Sequence, residues 1–324
     1  MEQTLHLPPE IWLMILDYLS PSFFQQDLSR LTLCKRWYDL VFPGFLRHLE
    51  YTPKVISRLV NRNSAAVNRV RGLLQRTSRS LTVVLDGRPA NKCFDTPYNL
   101  LRFGDMLRES KELKFVRFVS RPANERWKAD PYSETDLPLG SISPFVERLT
   151  HLTDLDLDLC GGPRIPTILS NHLCLNIRPL LSRLRNLSIR TRCLCKFAFI
   201  GVTPGNVSLQ RLTVNLYMGT ISTVNPKLNS TMLCPSTLSM SSSWEWRNPM
   251  DDLQPAIKAL AKGMKHPGRA RIVHKALNGE IHFWDAATNE CVVSEVVRGK
   301  PFPAFLEAES GRCFSEEEWD DPEL

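Results

Sequence analysis

Cysteine and histidine are the residues of this chain best able to do chemistry, and they crowd one stretch. Cys193 and Cys195 stand one residue apart, with Cys160, His172 and Cys174 upstream. Thiolates and imidazoles bind zinc, but structural zinc sites draw on two ligand pairs, each spaced by about two to four residues. A single intervening residue puts Cys193 and Cys195 on one face of a strand, and the other three candidates stand singly. Buried small cysteines account for the pattern better than a metal site does. Nucleophilic catalysis asks for an activated Ser or Cys on a sharp turn with a base in reach, and no Gly-x-Ser-x-Gly occurs. Gly161-Gly162-Pro163 lacks the Lys-Ser/Thr of a phosphate loop, and no dinucleotide fingerprint is present. His274 and His282 fall in what reads as a hairpin, where cross-strand packing is expected of them. These residues predict no active site, no metal and no cofactor: a binding protein, not an enzyme.

Composition sets the bounds. The 324 residues suggest about two domains, and 43% hydrophobic content supplies ample core. No apolar run reaches the roughly eighteen residues of a membrane span, and no signal peptide is visible. Nine cysteines, an odd number without a dense pattern, point to a reducing compartment, the cytoplasm or nucleus. The net charge of +7 is unevenly spread. From Lys54 to Lys128 there are 17 Lys and Arg against 6 Asp and Glu, whereas Phe305 to Leu324 carries 8 acids and one base, Arg312. The arginines are dispersed among apolar positions, as on solvated helix and strand faces. Aromatic residues are not interleaved with them as stacking platforms require, so nucleic acid is not the expected partner.

The elements that must position any site begin at the N-terminus. Pro8 or Pro9 suits the first turn of a helix, where the missing N–H removes no internal bond. Ile11, Ile15, Leu16 and Leu19 then form one apolar helical stripe, ended by Ser20-Pro21-Ser22. Asp27 reads as the N-cap of a second helix with Leu28 and Leu31. Cys34, Trp37, Leu40 and Val41 continue the apolar face, and Pro43-Gly44 is expected to close it. A unit of about forty residues buries little of its own surface and needs a partner or a neighbouring domain.

Leu7-Pro8-Pro9-Glu10, Ile15-Leu16-Asp17-Tyr18-Leu19, Asp27-Leu28 and Cys34-Lys35-Arg36-Trp37, in this order and spacing, resemble the F-box. The resemblance covers roughly residues 5–50. It implies docking to the small Skp adaptor of Skp–cullin–F-box ubiquitin ligases, through Leu7, Pro8, Ile11, Leu28, Leu31 and Trp37. The rest of such a protein holds the substrate. The link from Ser20 to Gln26, with Phe23-Phe24, is longer than in the tightest versions of the motif.

Further along, Thr52-Pro53 and Ser64 read as helix starts, with Ala66, Val67, Val70, Leu73 and Leu74 on one face of the second helix. Leu81–Leu85 reads as a strand and 86–99 as a loop. A spacing then recurs: Leu113-x-x-Val116-x-Phe118, Leu152-x-x-Leu155-x-Leu157, Leu184-x-x-Leu187-x-Ile189 and Leu209-x-x-Leu212-x-Val214. Ser78, Leu81 and Val83 fit it loosely. Each unit ends in a short strand with one buried face, preceded by an anchor. Helix-like stretches, Leu100–Ser110, Ile142–Leu149 and His172–Leu181, lie between units. Of the intervals of 39, 32 and 25 residues only the last has the length of an ordinary leucine-rich repeat, and the Asn or Cys after the strand is matched only loosely, by Cys160. This reads as an irregular leucine-rich-repeat-like solenoid with long loops at 120–141 and 218–243, a combination similar to that of many fungal F-box proteins; a non-repetitive α/β domain is the alternative.

Arg271–Leu277 and Glu280–Trp284 flank Asn278-Gly279, the strongest short hairpin signal, with a third strand at Cys291–Val297. Ile281–Thr288 is similar to the end of one WD-repeat blade, but no second copy exists, so an isolated β-meander is expected. The expected fold is thus α+β or α/β: an F-box at 1–50, a degenerate leucine-rich-repeat-like region at 51–250, a meander at 251–304 and an acidic tail at 305–324. The resemblance implies a substrate adaptor that binds the Skp adaptor, through it a cullin, and an unidentified protein substrate. Two other readings stay open: a Skp-binding protein acting outside ubiquitination, and a basic nucleic-acid-binding repeat protein.

Overall fold

The computed structural model describes residues 8–18, 27–31, 34–86, 95–121, 139–159, 173–191, 194–202, 205–216, 249–264, 269–275 and 281–294. Helix α1 (Pro9–Tyr18) comes first, then a 3-10 turn at Leu28–Leu31 and helix α2 (Lys35–Phe45). The second element is therefore a single turn and not the expected helix, because a new helix already starts at Lys35. Pro43-Gly44 does not close α2, which stays helical to Phe45; the Leu46 N–H still reaches the Phe42 carbonyl at 3.0 Å. The bond lost at Pro43 is offset by burial of Val41 and Leu46 on either side of it.

Strand β1 (His48–Tyr51) follows, then helices α3 (Pro53–Asn61) and α4 (Ala65–Thr77) and strand β2 (Ser80–Asp86). The expected starts hold. Pro53 occupies the first turn of α3, and the Ser64 hydroxyl accepts the Val67 N–H at 3.3 Å. On α4, Leu74 is buried and Val70 and Leu73 pack on the core, while Ala66 is exposed. Helix α5 (Asp95–Leu107) starts inside the stretch expected to be a loop. Pro97 sits in its first turn, where a missing N–H costs nothing. Beyond it come β3 (Phe115–Arg121), α6 (Leu139–Arg148), β4 (Asp154–Asp158), a short helix α7 (Leu173–Ile177) running into a 3-10 turn, β5 (Asn186–Thr191) and β6 (Arg211–Leu216). Helix α8 (Pro249–Gly263), absent from the sequence reading, precedes β7 (Arg269–Lys275), β8 (Ile281–Asp285) and β9 (Cys291–Ser294). Most of the two long loops, Asn278-Gly279 and the tail lie outside the described residues.

The nine strands among the described residues form one sheet in chain order, parallel from β1 to β7 and antiparallel from β7 to β9. The meander is thus continuous with the parallel strands, its first strand paired to β6. The recurring spacing maps onto register. Leu49, Leu81, Val116, Leu155, Leu187, Leu212 and Ala270 form one cross-strand row, and Tyr51, Val83, Phe118, Leu157, Ile189, Val214 and Ile272 the next. The anchors Leu46, Ser78, Leu113, Leu152, Leu184 and Leu209 are all buried three residues ahead of the first row. Beside each anchor, one carbonyl accepts two N–H groups of the next unit: Arg47 from Arg79 and Ser80, Arg79 from Lys114 and Phe115, Lys114 from Thr153 and Asp154, Thr153 from Arg185 and Asn186, and Arg185 from Gln210 and Arg211. This staircase fixes the strand starts whatever the length of chain between them.

The inner rows and the buried faces of α3 to α8 share one apolar cluster. Tyr51, Phe103, Phe145 and Phe118 form a chain of ring contacts through it, with centroids 5.2, 6.1 and 5.6 Å apart in turn. Gly104 lets α5 approach α6: a Cβ there would stand 3.0 Å from Arg148 Cδ and 3.2 Å from the Phe145 ring. The opposite face of the sheet is polar, with Arg117, Asp156, Ser188, Thr213 and Arg271 in one row. No helix among the described residues is long and apolar enough to cross a membrane.

Candidate functional site

A cluster of exposed apolar side chains lies at the start of the described chain. The Pro8 carbonyl accepts the Ile11 N–H at 3.1 Å and the Trp12 N–H at 3.3 Å, which opens α1. Ile11, Met14 and Ile15 follow at i, i+3 and i+4, one face of a helix. All three are exposed, at 40, 57 and 39% of their surface. Three large apolar side chains facing water side by side are unusual on a monomer and mark a contact surface. The other side of α1 is tied inward: Trp12 meets Trp37 edge-to-face at 5.4 Å between centroids. Trp37 Nε1 donates to the Arg30 carbonyl at 2.6 Å, which fastens α2 to the 3-10 turn. Asp27 starts that turn, its carboxylate accepting the Ser29 N–H at 3.0 Å and the Ser29 hydroxyl at 2.6 Å. The hydroxyl above all, then the N–H, holds the Asp27 carboxyl below its ordinary range.

Helix, capped turn and helix, locked by two tryptophans beneath an exposed apolar stripe, describe a small docking module. Residues 4–49 match the family model for F-box-like domains. The chain carries an F-box-like domain. F-box domains generally bind a Skp adaptor. A search of curated proteins finds no match to the chain.

The six residues implied by the F-box resemblance fall in different places. Leu7 lies outside the described residues. Pro8 and Ile11 are exposed at the start of α1. Leu28 and Leu31 lie in the 3-10 turn, and their side chains are outside the description. Trp37 is half-buried and engaged within the F-box itself. Met14 and Ile15 extend the exposed stripe; their i+3 and i+4 spacing from Ile11 is the signal that finds them.

The other candidates resolve as follows. Cys195 lies beyond β5, at the start of a 3-10 turn, Lys196–Ala198, and not on a strand face. Its N–H points at Cys174 Sγ, 3.3 Å away, and both cysteines are buried. Cys160, His172 and Cys193 lie outside the described residues, within which no cluster of three metal-ligating side chains occurs. On the polar face of the sheet, Arg117 Nε stands 3.0 Å from Asp156 and Arg190 Nη1 3.6 Å from Asp158. Charges there are matched across neighbouring strands.

His274 and His282 are direct cross-strand partners, their rings 5.0 Å apart. Burial, and then the charge of His282, push the His274 imidazole down to about 4. An unfolded histidine titrates near 6.5 (about). Between these values the unfolded chain takes up a proton that the folded chain refuses, so stability is whole above about 6.5 and declines as the pH falls toward 4. Each pH unit is worth about 1.4 kcal/mol, and solvent near the pair reduces the total to roughly 2 kcal/mol. Urea unfolding at pH 7 and pH 4.5, with His274→Phe as control, checks this: the substitution should flatten that part of the pH dependence.

Proposed function

We propose that this chain is the substrate-recognition adaptor of a Skp–cullin–F-box ubiquitin ligase. The observation that carries the reading is the F-box-like domain with Ile11, Met14 and Ile15 exposed along one helix. Pro8 and Ile11, with Leu7, Leu28 and Leu31, are its contact residues for the Skp adaptor, and Trp37 positions them through its bonds inside the module. A cullin joins through the adaptor. The chain supplies no ubiquitin chemistry; it works by raising the local concentration of a bound protein substrate beside the ligase. Its place of action is the cytoplasm or nucleus.

Substrate binding falls to residues beyond 50. A leucine-rich-repeat-like reading of 51–250 is supported by the buried anchor and two buried strand positions that recur in register from β2 to β6. The meander of 251–304 extends the same sheet, and 305–324 is an acidic tail. Loops after Leu113 and the meander near Cys291 are the surfaces we assign to the substrate.

The test is Ile11→Asp combined with Met14→Asp. Charges on the stripe should weaken capture of the Skp adaptor by roughly 100-fold, about 2.7 kcal/mol, because few buried anchors dominate such contacts. Circular dichroism should be unchanged, since neither side chain is in the core. Undiminished capture by a folded double variant overturns the docking assignment. Recovery of a cullin with the wild-type chain supports the ligase; recovery of the adaptor alone places the protein outside ubiquitination.

A further inference from the structure

The stretch that follows the F-box-like domain carries one sign of charge. From Tyr51 to Leu85 there are seven Lys and Arg and no Asp or Glu. Three of the seven line up on one helix. Lys54 and Arg58 lie one turn apart on α3 and Arg62 follows at its C-cap, so the cations step along the axis at about 6 Å. All three are exposed, and none pairs with a carboxylate among the described residues. Lys54 in the first turn meets the positive end of the helix dipole, with no acid there to offset it, and it repels Arg58. Helix α3 carries this row against its own stability. A fourth cation comes from a neighbouring helix. Arg102 on α5 donates from Nη1 to Asn61 Oδ1 at 2.7 Å, and Asn61 Nδ2 donates to Asn99 Oδ1 at 3.1 Å and to Ser57 Oγ at 3.2 Å. Asn99 is buried, so this network fixes Arg102 beside the end of the row. Tyr98, one turn before Arg102, is 61% exposed, and the Arg102 guanidinium lies over its ring, 5.7 Å from the centroid.

From Thr52 to Leu85 no aromatic residue alternates with the basic ones. The fold supplies one, because Arg102 touches both Asn61 of α3 and the Tyr98 ring and so brings an aromatic platform to the cation row. We propose that the strip formed by Lys54, Arg58, Arg62, Arg102 and Tyr98 binds a single-stranded polynucleotide. Its evenly spaced cations follow a phosphate backbone, and the exposed ring takes the face of a base, which every sequence offers. A duplex keeps its bases stacked inside and leaves Tyr98 without a partner for stacking. An acidic peptide supplies charge but no regular run of flat π surfaces. The network around Asn61 sets Arg102 in place before a ligand arrives, which spares part of the cost of ordering it. The strip belongs to α3 and α5, beyond the F-box-like domain, and shares no residue with the Ile11, Met14 and Ile15 stripe. Polynucleotide binding is thus an activity separate from adaptor docking.

Fluorescence anisotropy of the full chain with a labelled oligouridylate of about 15 nucleotides tests this. Affinity should fall with salt, the logarithm of the binding constant against that of salt concentration having a slope of about −2.8 for four phosphate contacts. Arg58→Gln with Arg62→Gln should weaken binding roughly tenfold and bring the slope to about −1.4. Tyr98→Ala should weaken it roughly tenfold and leave the slope unchanged, while Tyr98→Phe should bind as the wild-type chain does. These side chains are exposed, so circular dichroism and capture of the Skp adaptor should be unchanged. The proposal is overturned if the oligonucleotide fails to bind at about 50 mM salt, if a duplex of the same length binds as tightly, or if Tyr98→Ala binds like the wild-type chain. It is equally overturned if polyglutamate at equal charge displaces the oligonucleotide, which would assign the strip to an acidic protein, or if the same variants lose the adaptor. A loss of binding as large with Arg79→Gln and Lys114→Gln, both exposed elsewhere, would reduce the attraction to net charge and overturn it too.

Discussion

Phe145→Ala is expected to destabilise the chain by about 3–5 kcal/mol, more than any other single truncation in the aromatic chain. Phe145 is fully buried on α6 and meets two rings at once, Phe103 on α5 and Phe118 on β3. Removing it opens a cavity at the junction of two helices and the sheet. Gly104 and Arg148 hold the backbones of α5 and α6 close on either side, so the gap cannot collapse. Each ring pair contributes a further 0.5–1.5 kcal/mol (roughly) beyond area burial. Phe145→Leu, which keeps most of the volume, should cost about half as much. Urea denaturation followed by tryptophan fluorescence measures both; a loss below about 1 kcal/mol for Phe145→Ala would mean that α6 does not pack on the sheet as described.

The second large effect concerns Asp158. It lies on the polar face of the sheet, yet its side chain is only 4% exposed, and that of Arg190 3%. Its two oxygens stand 3.6 Å from Arg190 and 3.6 Å from Arg117. Taking the carboxylate away leaves buried positive charge beside β4 and β5, a change that costs about 3–5 kcal/mol in comparable pairs. Asp158→Ala should therefore destabilise nearly as much as Phe145→Ala although it removes little apolar surface. Replacing both partners, Asp158→Leu with Arg190→Met, should recover most of the loss, because burying an ion pair is itself expensive. If the double variant is no more stable than Asp158→Ala, the charges are not coupled.

What could be read from the residues followed the strength of local signals. The anchor-and-strand spacing from Leu113 to Val214 was legible because hydrophobic period and position repeat four times, and the structure turns each repeat into one row of a sheet. Strand β1 was missed because His48-Leu49-Glu50-Tyr51 is short and half polar; it is a strand because β2 supplies its partner. The start of α5 was missed because Asp95-Thr96-Pro97 reads as a turn, although proline in a first helical turn is equally well placed. At the docking surface the motif located the helix, but which residues face water depends on where the two tryptophans pin it. Ile11 was legible on both counts. Trp37 looked like a contact and is occupied within the module, while Met14, three residues on from Ile11, is exposed beside it.

Among the described residues strand order equals chain order, so each described strand is hydrogen-bonded to those next to it in sequence. A sheet whose first and last strands lie zipped side by side resists tension by shearing one long ladder all at once. Among the described strands there is no such clasp. Load applied between its ends falls on one outer ladder, and when that gives, on the next. A machine that unravels the chain by pulling would meet a succession of low barriers, each about one strand deep, in place of a single high one.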